Sequence, residues 1–171
     1  MNMRELKVNL KDLADAFDNG LDEITYYLDL ETGEVVMVTE ESRQLLEELS
    51  GAEQAETLEA VLEAIRSADI PQWEMDVVCA AAVVEWADDD RFLEIPRVAS
   101  WEGYQDMEAF IETVSDAHVQ EILEVAIQGK GAFRRFKDTL ERYPKERERW
   151  FEFLDARSQE RVLNWLREEE I

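Results

Sequence analysis

The clearest two-residue apolar alternation in this chain is confined to one short stretch, and this restricts the fold more than any other feature. In Ile24-Thr25-Tyr26-Tyr27-Leu28-Asp29-Leu30, the side chains of Ile24, Tyr26, Leu28 and Leu30 fall on one face of a strand. Glu31-Thr32-Gly33 follows as a turn, because glycine tolerates the positive φ that a tight hairpin needs. Val35-Val36-Met37-Val38 reads as the return strand, so a hairpin is expected near residues 23–39. Phe92-Leu93-Glu94-Ile95, stopped by Pro96, is the natural third strand beside it.

The rest of the chain carries the three- and four-residue spacing of helices. Leu6, Leu10, Leu13, Ala14 and Phe17 predict a short helix over 6–17, with Asn19-Gly20 as its stop. Thr39 is placed to cap a helix with Leu45, Leu46 and Leu49 inward, and Ser50-Gly51 reads as its break. A further helix is expected from about Glu53 to Ser67, with Leu58, Val61, Leu62 and Ile65 on one side. Residues 73–86 fit either a helix or a strand over Val77–Val84, and three successive alanines favour helix. Helices are expected at 100–114, at His118–Gln128 with Gly129 as the C-cap, and at Gly131–Tyr143. Another begins at Pro144, and a last one carries Val162, Trp165 and Leu166. The fold class is therefore α+β, dominated by helix, with a small antiparallel sheet (hairpin plus one strand) packed by helices. It is read as one domain over 1–171, with a helical middle at 40–87, a strand at 92–95 and a helical C-terminal part at 100–171.

Of 171 residues, 46% are hydrophobic, with five Trp and seven Phe, enough for a real core. The net charge of −24 opposes non-specific binding to nucleic acid or to an anionic membrane. That charge is uneven: residues 129–171 hold 11 Lys+Arg and 10 Asp+Glu, whereas residues 1–128 hold 7 and 32. An acidic partner could therefore dock only at the C-terminal quarter. A lone Cys79 fits a reducing cytoplasm, and no apolar run approaches the ~20 residues of a membrane span. The charged N-terminal stretch does not read as a signal peptide.

The sharpest chemical candidate is Gly129-Lys130-Gly131-Ala132-Phe133-Arg134-Arg135-Phe136-Lys137. A glycine-rich turn entering a helix can present N–H groups to an anion, and Lys130, Arg134, Arg135 and Lys137 could add charged bonds to phosphate or RNA. The spacing matches neither a P-loop nor a dinucleotide fingerprint. The structural alternative is that Gly129 and Gly131 only shape the turn, that Phe133 and Phe136 are core, and that the arginines pair with glutamates of the same molecule. Acidic helices around Glu53–Glu63 and Glu108–Glu124 could imitate a phosphate backbone, or simply form a solvated surface. Near the end, Arg147, Trp150 and Phe151 form an aromatic–arginine mixture suited to a protein contact, if it is not buried. No metal site, cofactor site or catalytic set is supported: His118 is the sole imidazole and Asp88-Asp89-Asp90 lacks the pattern of a calcium loop.

The segments ITYYLDLETGEVV, RFLEIP, YQDMEAFIETV and above all GKGAFRRFKDTLERYP, followed by RWFEF and a terminal WL, resemble the bacterial uncharacterised protein family 0158. The likeness spans most of the chain and is weakest over Gly51–Ala87. It implies no activity and no catalytic residue. The residues themselves point to a cytoplasmic domain that binds a protein rather than one that catalyses. An RNA or phosphate contact at 129–137 and an acidic nucleic-acid mimic remain as alternatives, as does an enzyme using carboxylates.

Overall fold

A computed structural model describes residues 5–52 and 54–171. In chain order its elements are α1 (Leu10–Phe17), β1 (Ile24–Asp29), β2 (Val35–Thr39), α2 (Glu40–Ala52), α3 (Leu58–Ser67), α4 (Gln72–Trp86), β3 (Phe92–Glu94), α5 (Ser100–Glu112), α6 (Ala117–Ala126), α7 (Ala132–Leu140) and α8 (Pro144–Glu168). The fold is α+β, dominated by helix. The chain forms two compact units, Met1–Arg97 with Glu169–Ile171, and Val98–Glu168.

The first unit holds the sheet, in the order β2-β1-β3, with both pairings antiparallel. The hairpin register sets Ile24 against Thr39 and Leu28 against Val35, and β3 sets Leu93 against Leu28. Gly33 makes the turn possible twice over. Its φ is +78°, and a Cβ there would stand 2.1 Å from the Lys7 carbonyl oxygen, so the N-terminal segment passes where only glycine fits. Lys7 is thus not helical. The helix predicted over 6–17 starts instead at Leu10, because the Asn9 side chain accepts from the N–H groups of Lys11 and Asp12 and fixes the N-terminus there.

Thr39 does cap α2: its Oγ1 accepts from Ser42 N–H while the Ser42 hydroxyl oxygen accepts from Thr39 N–H, a reciprocal pair. The break expected at Ser50-Gly51 does not occur, since α2 continues to Ala52. A Cβ at Gly51 would meet nothing within 4 Å, so the residue costs only its weak helix propensity. The next helix starts at Leu58 with Thr57 as its cap, later than expected. The proposed start at Glu53 lies outside the described residues, as do Met1–Arg4. Residues 72–86 are helical, and the reason they read ambiguously is plain: α4 is covered by α2, α3 and β2, so it is apolar on several sides. Its Val78, Ala81 and Ala82 join Val38, Leu46, Val61 and Ile65 in the core of this unit.

The second unit is all helix. Its core gathers Met107, Phe110, Ile111, Leu123, Phe136, Leu140 and Trp150. The Phe136 ring meets Phe110 and Trp150 edge-on, with centroids 6.3 and 4.8 Å away, which locks α5, α7 and α8 together. The two helices expected after Pro144 are one, α8, 25 residues long. No Gly or Pro interrupts it, and nothing else in the segment forces a break.

Candidate functional site

The glycine-rich segment forms the turn between α6 and α7. Gly129 and Gly131 both adopt left-handed φ, +74° and +78°. Gly131 is the residue before the first turn of α7 and contributes no side-chain cap. The carbonyl oxygens around this turn face a cation of the same chain. The Arg135 guanidinium donates from Nε to the Ala126 carbonyl at 2.9 Å, and from its two terminal nitrogens to the carbonyls of Lys130 and Gln128. A helix leaves its last carbonyls without partners, and one planar guanidinium serves this helix end and the turn after it. A Cβ at Gly131 would come within 3.2 Å of that guanidinium and would crowd it, on top of the strain that a larger residue meets at this positive φ.

Arg135, though exposed, thus spends its guanidinium on backbone oxygens, rather than on the glutamates that the structural alternative supposes. Phe136 is core, as its spacing suggested. The other members face outward. The Arg134 side chain is 90% exposed, and among the described residues its one carboxylate partner is Asp138, one turn on, at 3.9 Å. Lys130 and Lys137 are exposed, and among the described residues neither has a carboxylate within 4.0 Å. Phe133, 44% exposed, rests one ring edge where Gly103 of α5 leaves room for it: a Cβ there would be 3.1 Å from the ring.

The second candidate group also divides. Trp150 is 7% exposed and packs against Phe110, Phe136 and Phe153, so its proposed contact role gives way to a core role. Phe151, next to it on α8, is 50% exposed, and the Arg147 guanidinium stands 5.4 Å over its ring. Glu108, Glu112, Glu121 and Glu124 of the acidic helices are all exposed.

Sequence reasoning missed three ionic arrangements. Asp29 is buried between Leu28 and Leu30. Its carboxylate takes two hydrogen bonds from Arg91, at 2.9 and 3.2 Å, and one from Glu31 N–H at 2.9 Å. The Arg91 hydrogen bonds hold this carboxyl below its usual range, against the opposing effect of burial. Asp106 of α5 is buried and receives Arg161 of α8 at 2.7 Å, with Arg157 3.9 Å away. Arg149 bonds the Thr113 carbonyl and hydroxyl at the end of α5, and pairs with Glu146. The one legible signal was Asp29 itself, a charge set inside an apolar strand pattern.

Among the described residues no group of three or more His, Cys, Asp or Glu is arranged to hold a metal ion. Cys79 is half-buried, and burial pushes its thiol pKa up, away from nucleophilic use. The first unit has an open groove of about 590 Å³ lined by Tyr27, Arg43, Glu47, Asp88, Asp89 and Phe92 among others, in which Arg43 donates to the Tyr27 hydroxyl oxygen at 2.8 Å. No described helix is long and apolar enough to cross a membrane.

Comparison with known proteins decides the family. The model of an uncharacterised protein family, UPF0158, matches residues 62–171. The chain belongs to UPF0158. The match takes in residues 62–87, the larger part of the stretch Gly51–Ala87 where the resemblance is weakest. A UPF0158 protein of Pseudomonas aeruginosa is 26% identical over 170 residues, covering 99% of this chain and 87% of that protein. UPF0158 proteins of Chlamydia trachomatis and Chlamydia muridarum are each 33% identical over 79 residues, which is 46% of this chain and 24% of theirs. No solved structure matches. The family description names no activity.

Proposed function

We propose that this UPF0158 protein is a cytoplasmic binding domain whose partner is a protein, and that it acts without catalysis. The observation that carries the reading is Phe151, a large ring held half in solvent beneath Arg147 while the neighbouring aromatics Trp150 and Phe153 pack together. Aromatic and arginine side chains are the residues that anchor protein interfaces, and a domain with its core already filled gains nothing from another exposed ring. The unpaired thiol of Cys79 fits the cytoplasmic part of the proposal.

The test is purification of the tagged protein from its own host after nuclease treatment. A discrete protein is expected to stay bound, and Phe151→Glu or Arg147→Glu is expected to release it while the variant melts as the parent does. Bound material that nuclease removes would instead favour nucleic acid. A partner indifferent to both substitutions would move the interface away from α8.

A further inference from the structure

Helix α7 has an outward face that the fold does not use. At 100° per residue, the buried Ala132, Phe136 and Leu140 occupy one arc, and Phe133, Lys137 and Arg134 occupy the next arc of about 100°. Lys130 precedes them in the turn, and Arg142 and Lys145 follow. Among the described residues, Lys130, Lys137, Arg142 and Lys145 have no carboxylate within 4.0 Å, and Arg134 touches only Asp138 at 3.9 Å. In a chain with 42 acidic and 18 basic residues, cations without a carboxylate partner among the described residues are out of keeping with the supply of carboxylates. Phe133 stands among them, steadied by the notch at Gly103 with its remaining surface in solvent.

We propose that this face docks an acidic segment of the partner protein, in which two or three carboxylates surround one apolar side chain. The carboxylates meet Lys130, Arg134 and Lys137, and the apolar side chain meets Phe133. The charge of the whole molecule favours such a segment over a nucleic acid. A long polyanion continues past the patch onto a unit with 11 basic and 15 acidic residues, in a chain of net charge −24. A short segment ends before it reaches that surface, and salt screens charges more than ~8 Å away. The proposal rests on the protein-binding reading above, and it places one contact of that interaction.

The test uses the full chain and fluorescence anisotropy with three probes: a short labelled peptide of glutamates around a central leucine, the same peptide with glutamines, and a short mixed-sequence single-stranded RNA. The glutamate peptide should bind, the glutamine peptide should not, and RNA should bind more weakly than the glutamate peptide. The triple variant Lys130→Gln/Arg134→Gln/Lys137→Gln should weaken the glutamate peptide about tenfold or more, and Phe133→Ala severalfold. All four residues are exposed, and unchanged melting of the variants confirms that they fold. Tighter binding of RNA, equal binding of both peptides, no binding of the glutamate peptide, or a triple variant that binds as well as the parent would each overturn the proposal. Sedimentation of the free chain should show no self-association that the triple variant abolishes; if it does, the occupant is a second copy. A host protein retained by the triple variant but released by Phe151→Glu would sink this inference and leave the binding-domain reading standing.

Discussion

The sheet unit and the helical unit fasten their chain turns with opposite charges. In the first, a buried carboxylate is the hub: Asp29 collects the Arg91 guanidinium and the Glu31 N–H where β1 leads into its turn. In the second, a guanidinium is the hub: Arg135 collects three carbonyl oxygens where α6 ends. The difference follows from what each backbone leaves unpaired. The turn after β1 has an N–H to satisfy, so an acceptor serves it. A helix C-terminus has carbonyls to satisfy, so a donor serves it. Arg149 repeats the second solution at Thr113. The concentration of arginine toward the C-terminus is thus in part a requirement of helices ending close together, and only the remainder is available for a partner.

Removing the packing common to neither hub gives the upper reference for this comparison. Phe136→Ala empties the centre of the aromatic cluster and should cost about 4 kcal/mol in urea unfolding, more than loss of either hub. Asp29→Asn should come next, at about 2–3 kcal/mol near neutral pH, because two charged hydrogen bonds to a buried carboxylate are weakened, while the partly exposed Arg91 keeps Glu31 at 3.3 Å. Its pH dependence has a definite sign. The folded Asp29 carboxyl titrates below the unfolded value of about 3.9, so the pair stabilises fully above that pH and is lost as pH falls through the lower folded value. The gap between parent and Asp29→Asn should therefore narrow below about pH 4. Arg135→Ala should cost about 2 kcal/mol, and Arg135→Lys nearly as much, since an ammonium cannot span three carbonyls as the planar fork does. Arg134→Gln should leave unfolding unchanged, as expected for an ion pair held in solvent.

Much of the fold was legible because its signals were local. The hairpin followed from alternation and Gly33, the third strand from Phe92–Ile95 and Pro96, and α2 from the Thr39 cap. Helix ends were less legible where a competing contact decided them. Asn9 outweighed the apolar spacing that reached back to Leu6, and Gly51 failed to stop α2 because its cost was small. Residues 77–84 were ambiguous because a helix covered on several sides loses the one-sided stripe that identifies it. At the candidate site, the sequence located the segment but not the division of labour within it. Arg134 and Arg135 are neighbours in sequence and identical in chemistry, and only the 100° step between them sends one to solvent and the other to the backbone of the preceding helix. Asp106 and Arg161 are 55 residues apart, and no local pattern links them.

That division is tested most directly by urea unfolding of two single variants, Arg134→Lys and Arg135→Lys, measured side by side. Both keep the charge, so long-range electrostatics are unchanged and only geometry differs. The structure predicts that Arg134→Lys unfolds as the parent does and that Arg135→Lys loses about 2 kcal/mol. Equal loss in both, or loss in Arg134→Lys alone, would contradict the assignment of Arg135 to the fold and of Arg134 to the outer face.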